Sequence, residues 1–111
     1  MSALTSSIVA GFDAERSRAA STFNSAYQTL GSALTQSPVI IVLDNQTTVD
    51  VEFSIDGTTT WKTFSTSEAL VLDMRANHGK AFDFTLPIGT QLYVRGTGGT
   101  GSFRASIIYA R

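Results

Sequence analysis

The residues of this chain that could do acid–base or metal chemistry are few and scattered. His78 is the only histidine, and the sequence has no cysteine. A site built from nitrogen and sulfur ligands needs several such side chains, so neither a thiolate nor a second imidazole is available to complete one. We therefore interpret His78, in the segment Asn77-His78-Gly79-Lys80, as an ordinary loop residue rather than a general base or a ligand.

Carboxylates are the remaining candidates for acid–base work. Asp50 and Glu52 stand two residues apart in an alternating segment, so both should project from one face of a strand. If Val49 and Val51 point inward, that face is solvated, and its charge discourages edge-to-edge strand pairing. The other aspartates near strand ends or on strand faces lack the spacing of a calcium motif: Asp44, Asp56, Asp73 and Asp83. The sequence predicts no catalytic residue, no cofactor and no metal site.

Two turn segments resemble known loops only in part. The tip from Gly96 to Gly101 lacks the lysine and the following helix of a phosphate loop, because Phe103 already belongs to a strand. We interpret it as a hairpin tip whose backbone could contact a neighbouring chain. The segment from Ser54 to Trp61 resembles the Asp-box hairpin of sialidase-type propellers, although that family places its glycine one position later. Trp61 then has two interpretations, a core residue or a platform for a sugar ring.

Length, composition and charge exclude several classes of protein. The chain has 111 residues, enough for one domain, and only 15% of them are charged, against about 25% in typical domains. A net charge of −1 argues against a sequence-independent nucleic-acid binder. The absence of cysteine disfavours a secreted domain, and neither a targeting segment nor an apolar run long enough to cross a membrane is visible.

A period of two dominates the sequence after Pro38 and predicts about seven short antiparallel strands. Val39 to Leu43 is continuously apolar, as in a strand buried on both faces. The later segments alternate, with turn signals such as Asp56-Gly57 between them. The pattern predicts a mainly β fold, an antiparallel sandwich over residues 38–111. Its expected core is Val49, Val51, Phe53, Phe82, Phe84, Leu92, Val94, Phe103, Ala105 and Ile107.

The first third of the chain shows a different period. Its larger apolar residues recur at steps of three, four and seven, which predicts an α-helical arm over residues 1–37. A helix of that length would reach beyond a sandwich of this size. We expect the arm to bury its apolar stripe against other chains, and its removal to leave a folded sandwich. The predicted interface residues are Ile8, Phe12, Phe23, Tyr27, Leu30 and Leu34.

From Val39 to Tyr109 the chain resembles the small β-sandwich proteins of tailed-bacteriophage particles. The resemblance lies in the segments "VDVEFSIDGTTTWKTF", "FTLPIGTQLYVRGTGGTG" and "FRASIIYA". It implies a non-enzymatic virion protein present in several copies, often as a ring, bound to portal, capsid or tail proteins. The head–tail junction, as a connector, collar or adaptor, is the role we expect. Two alternatives stay open: capsid decoration, or a carbohydrate-binding module that stacks sugars on Trp61, Tyr93 or Tyr109.

Overall fold

The computed structural model describes residues 10–73 and 86–110, and within them the chain forms nine β-strands and one 3-10 turn. The turn covers Ala20–Thr22. The strands, in chain order, are β1 Ala10–Phe12, β2 Arg16–Ala19, β3 Gln28–Thr29, β4 Pro38–Thr47, β5 Val51–Ser54, β6 Lys62–Phe64, β7 Ala69–Asp73, β8 Tyr93–Arg95 and β9 Gly101–Ala110.

The strands pair into two antiparallel sheets. Sheet A has the order β1-β9-β4-β7, with β2 also paired to β9, and sheet B has the order β3-β8-β5-β6. Because β1 and β2 pair with successive parts of β9, they act as one interrupted strand. The chain then alternates between the sheets, except that β5 and β6 are consecutive in sheet B. This is the strand order of a jelly roll, and it confirms the predicted sandwich of antiparallel strands.

The predicted α-helical arm is wrong for residues 10–37, which contain no α-helix. The apolar residues at helical spacing come from separate strands and turns: Phe23, Leu30 and Leu34 point into the core. Phe12 and Tyr27 keep part of their surface exposed on outer faces. Ser25 and Gly31 have positive φ angles of 70° and 66°, which interrupt any helix. Leu30 and Leu34 donate their backbone N–H groups to the carbonyls of residues 92 and 90 instead of to their own turn. Tertiary pairing has overridden a weak local propensity in a segment rich in Ser and Thr.

The described part of the predicted arm therefore belongs to the sheets. Strands β1 and β2 lie along β9, and β3 lies along β8. A chain without residues 1–36 would lose one edge of each sheet, so we no longer expect that deletion to leave an intact sandwich. The division into a unit of residues 1–37 and a unit of residues 38–111 stays a prediction.

An aromatic cluster fills the centre of the core. Phe53 stacks on Phe103 with ring centroids 6.2 Å apart, and Phe64 meets Phe103 edge-on at 5.2 Å. All three rings are buried. Through them, β5 and β6 of sheet B pack against β9 of sheet A. Seven of the predicted core residues are buried: Val51, Phe53, Leu92, Val94, Phe103, Ala105 and Ile107. Val49 is partly buried, and Phe82 and Phe84 lie outside the described residues.

Arg16 is the largest of the fully buried side chains, with 2% of its surface exposed. Its guanidinium donates to the carbonyls of Ser32, Ala33 and Ala14, and it forms an ion pair with Asp13 at 3.2 Å. Burial alone would raise the pKa of Asp13, but hydrogen bonds from the Thr35 hydroxyl, the Arg16 guanidinium and backbone N–H groups lower it to about 2. The buried charge is thus fully compensated, as its position requires.

We predict that Arg16→Ala lowers the free energy of unfolding by about 3–5 kcal/mol, because it leaves Asp13 without its ion pair and three carbonyl groups without their donor. Urea denaturation, monitored by tryptophan fluorescence, measures the decrease in the free energy of unfolding. The matched control is Arg104→Ala, which removes an exposed ion pair with Glu15 and should cost at most about 1 kcal/mol. Equal losses in the two variants would contradict the role assigned to Arg16.

Candidate functional site

The outer face of sheet A carries a row of apolar side chains across three strands. Phe12 of β1 lies opposite Ile108 of β9, which lies opposite Ile40 of β4. Directly opposed residues in antiparallel strands project from the same face, so these three side chains are neighbours. Phe12 is 79% exposed, while Ile108 and Ile40 are half-buried.

A second apolar pair extends this row toward the far edge of the sheet. Val42 of β4 lies opposite Val71 of β7, and Val71 is 62% exposed. Val42 is two residues from Ile40 and so projects from the same side. We call the five residues Phe12, Ile40, Val42, Val71 and Ile108 the apolar face. Asp73 lies opposite Ile40 and Ser106 opposite Val42, so polar residues border this face. Exposed apolar side chains grouped in this way are typical of sites that bind another macromolecule.

The apolar face explains the continuous run from Val39 to Leu43, which predicted a strand buried on both sides. Ile41 and Leu43 do point into the core and are fully buried. Ile40 and Val42, on the other side of the same strand, are only half-buried. The sequence of β4 is thus typical of a strand that is buried on both sides. In the described part of the chain, its outer side is partly exposed to solvent.

The six predicted interface residues occupy three different environments. Phe12 belongs to the apolar face, and Ile8 lies outside the described residues. Phe23, Leu30 and Leu34 are buried in the chain's own core, where they have no surface left for a second chain. Tyr27 is half-buried on the outer side of sheet B. The predicted stripe therefore does not form one surface, and its use as an interface stays a prediction.

The outer face of sheet B is polar and carries an ordered network. Arg95 of β8 forms a two-point ion pair with Glu52 of β5, with its Nε 2.9 Å from Oε1 and its Nη2 3.0 Å from Oε2. The guanidinium also lies over the Tyr27 ring, 4.3 Å from its centroid. The Thr60 hydroxyl donates to Glu52 and is hydrogen-bonded to the Tyr27 hydroxyl. Glu52 and Arg95 are thereby held in one geometry.

The charges of this network stabilise one another. Hydrogen bonds from Arg95, and then from Thr60, lower the pKa of Glu52, and these bonds outweigh the opposing effect of burial. The same bond to Glu52 raises the pKa of Arg95. Both side chains keep 35% of their surface exposed, so the pair remains in contact with solvent. The network therefore presents a fixed, ionised surface rather than a group that exchanges protons at neutral pH.

A groove borders the Glu52–Arg95 pair and brings the two predicted carboxylates together. Asp50 and Glu52 both line it, as expected from their spacing, and so does Thr63 of β6, which lies opposite Glu52 in the sheet. Within residues 10–73 and 86–110, no group of three or more histidine or acidic side chains could hold a metal ion. Asp83 and His78 lie outside those ranges, whereas Asp44 and Asp73 lie on the paired strands β4 and β7.

The Asp56-Gly57 segment is a structural turn, as predicted. Asp56 accepts hydrogen bonds from the backbone N–H groups of Thr58 and Thr59 and from the Ser54 hydroxyl, which lower its pKa below the usual range. Gly57 has a φ of 81° and lies against the Tyr93 ring, where a Cβ would come within 3.2 Å. The turn is thus closed by its own side chains and by sheet B.

The aromatic and glycine-rich candidates have mainly internal contacts. Trp61 is 39% exposed and packs on Phe53, with ring centroids 5.7 Å apart. Tyr109 lies over Gly11. In the glycine-rich tip, the N–H of Gly99 donates to the carbonyl of Ala20, and the carbonyl of residue 96 accepts from Ser25. The tip is therefore bound to its own chain along part of its length.

Sequence analysis missed Arg95 and the part that Tyr27 plays beside it. A signal was present, since Leu92 and Val94 alternate with Tyr93 and Arg95, which places the arginine on the outer face. The ion pair itself depends on the register of β5 against β8, in which Glu52 lies opposite Arg95. Their separation of 43 residues left no local pattern to reveal it.

We predict that an NMR titration of the Glu52 carboxyl group has a midpoint below that of an unperturbed glutamate. Arg95→Gln should raise the midpoint, because it removes the strongest donor, and Thr60→Val should raise it less. Arg104→Gln, an arginine of the outer face of sheet A, is the control and should leave Glu52 unchanged. A midpoint that does not respond to Arg95→Gln would show that the ion pair is not formed in solution.

No helix in the described ranges has both the length and the apolar character to cross a bilayer.

Comparison with known proteins identifies no family. No protein-family model matches the sequence, and no curated protein matches it. Among solved structures, the chain is similar to a chain from Bacillus endospore appendages, described as disulfide-linked pili, with 15% identity over 94% of this chain and 90% of that one and a TM-score of 0.45. It is also similar to the Dit (gp 19.1) protein of phage SPP1, from a hub adsorption apparatus, with 11% identity over 90% of this chain and a TM-score of 0.40. The match covers 49% of the Dit chain. At these values neither likeness identifies a function.

Proposed function

We propose that this chain is a non-enzymatic structural subunit that assembles in several copies with other proteins. The observation that carries the proposal is the apolar face of sheet A. Phe12 and Val71 expose most of their surface there, and the half-buried residues between them join the two into one patch. A sandwich that works alone in water normally has a polar outer face on each sheet, so this face is suited to a protein neighbour.

Energetics support an assembly built on this face. Burying a large apolar side chain is worth roughly 1.5–3 kcal/mol, so Phe12 and Val71 would anchor a contact whose other members are already partly desolvated. The low content of charged residues, 15%, limits the cost of removing the surrounding surface from water. Repetition of one such contact around a closed ring adds its energy at every interface.

The assembly we favour is the virion of a tailed bacteriophage. The sequence resemblance over residues 39–109 supports a place at the head–tail junction, as a connector, collar or adaptor that contacts portal, capsid or tail proteins. Capsid decoration is the near alternative within the same particle. Of the predicted interface residues, Phe12 is retained as an anchor, and Ile8 remains a candidate through its position two residues before β1.

We predict that Phe12→Asp and Val71→Asp weaken association of the full-length chain, because each places a charge in the contact. Sedimentation velocity over a range of concentrations measures the association. The matched control is Ile88→Asp, since Ile88 is 65% exposed but lies in the loop before β8. Circular dichroism verifies that each variant is folded. A chain that stays monomeric at all concentrations, or one that associates equally well in all variants, would contradict self-assembly through the apolar face.

The place in the particle has a separate test. Gold-labelled antibodies raised against the chain should mark the neck of purified virions in electron micrographs. Label spread over the capsid would favour decoration in place of a junction role. Purified particles that carry no label, although the antibody detects the free protein, would refute the virion assignment.

A further inference from the structure

The groove on the outer face of sheet B has the dimensions of a binding site for a small ligand. Its volume is about 560 Å³, within the range of ligand sites in proteins. It is formed by the start of β5, the end of β8 and neighbouring loops. Strands β5 and β8 are hydrogen-bonded to each other, so they give the groove a rigid base. The polar residues that line it are Ser25, Asp50, Glu52, Thr63, Arg95 and Thr97.

Several of these groups can bond to a ligand without breaking a contact in the protein. Within the described residues, the side chains of Ser25, Asp50 and Thr63 make no hydrogen bond, and Arg95 spends only its Nε and Nη2 on Glu52. The groove therefore offers hydroxyl groups, which donate and accept, a carboxylate, which accepts, and the Nη1 group of Arg95, which donates.

The central part of the groove is fixed before any ligand binds. Arg95 is held between Glu52 and the face of the Tyr27 ring, and Glu52 also accepts from Thr60. Side chains already held in place lose little rotational freedom when they bind a ligand. The pair leaves the Nη1 group of Arg95 as a donor and the remaining lone pairs of the Glu52 carboxylate as acceptors, both held at fixed positions.

Charge in the groove selects against anionic ligands. Asp50 and Glu52 carry two negative charges and Arg95 one positive charge, so the net charge is −1. Phosphate, sulfate and carboxylate ligands are repelled, and the guanidinium that would attract them is already paired. The Asp50 carboxylate would attract a cation, and the positive charge of Arg95 in the same groove reduces that attraction. Adjacent hydroxyl groups on a neutral ring match the alternating donors and acceptors, and Val49 gives an apolar wall for carbon–hydrogen groups.

We infer that this groove binds a neutral carbohydrate, with the Glu52–Arg95 pair contacting neighbouring hydroxyl groups of one sugar ring. The site differs from the stacking platforms considered from sequence, because none of Trp61, Tyr93 and Tyr109 lines the groove. It also lies on the opposite sheet from the apolar face, so carbohydrate binding does not depend on the assembly proposed above. Without a stacked aromatic ring, recognition rests on hydrogen bonds.

The test is an NMR titration of the isotope-labelled full-length protein with a panel of neutral probes: glucose, galactose, N-acetylglucosamine, maltotriose and cellotriose. We expect at least one probe to give saturable shifts at the amides of Ser25, Thr63 and Thr97. Arg95→Gln should weaken that binding by about tenfold or more, as expected for loss of a charged hydrogen-bond donor. Thr63→Val, which leaves the ion pair intact, should weaken it by a smaller factor.

Arg104→Gln, on the outer face of sheet A, is the matched control and should bind as the unchanged protein does. Inorganic phosphate and spermidine test the ionic alternatives under the same conditions. The inference is overturned if no neutral probe gives saturable shifts in the groove. It is also overturned if only phosphate or spermidine binds there, or if folded Arg95→Gln and Thr63→Val variants bind as well as the unchanged protein.

Discussion

A buried positive charge needs hydrogen-bond acceptors or an opposite charge within contact distance. In this chain the buried charge is the guanidinium of Arg16. Its donors are taken by carbonyl groups of the loop between β3 and β4, by the carbonyl of residue 14 and by Asp13. The loop must therefore pass directly beside the arginine stem. Gly31 makes this approach possible, since a Cβ at that position would lie 2.8 Å from the arginine Cγ and its φ is 66°. The same path brings Leu30 and Leu34 into the core on either side.

This constraint makes the first third of the chain a part of the sandwich. Once Arg16 is anchored, β2 continues along β9 and β3 reaches β8, so the N-terminal segment contributes an edge to each sheet. The inner faces are then closed over the cluster of Phe53, Phe64 and Phe103. The two sheets differ on their outer sides: sheet A carries the apolar face, and sheet B carries the network around Glu52 and Arg95.

The two outer faces allow two kinds of contact that need not compete. Apolar side chains with large exposed fractions favour a protein neighbour, since their burial is driven by removal of surface from water. A fixed ion pair with solvent-accessible hydroxyl groups favours a polar ligand, because its hydrogen bonds have direction and spacing. If the subunit packs through sheet A, as proposed, that contact leaves the groove of sheet B uncovered.

The sequence by itself determined strands β4 to β9 and their inner faces. Alternation in β5, β8 and β9 was enough to place Phe53, Val94 and Phe103 in the core, since a period of two admits one buried face. The apolar run of β4 also indicated that the outer side of this strand is apolar enough to be buried against a neighbour. Tertiary structure alone decided the fate of residues 10–37, because apolar residues at steps of three and four are equally compatible with separate strands and turns that point inward. It also decided the Glu52–Arg95 pair, which exists only through the register of two strands distant in sequence. Local patterns specify which side chains are buried, but long-range pairing specifies which polar side chains meet.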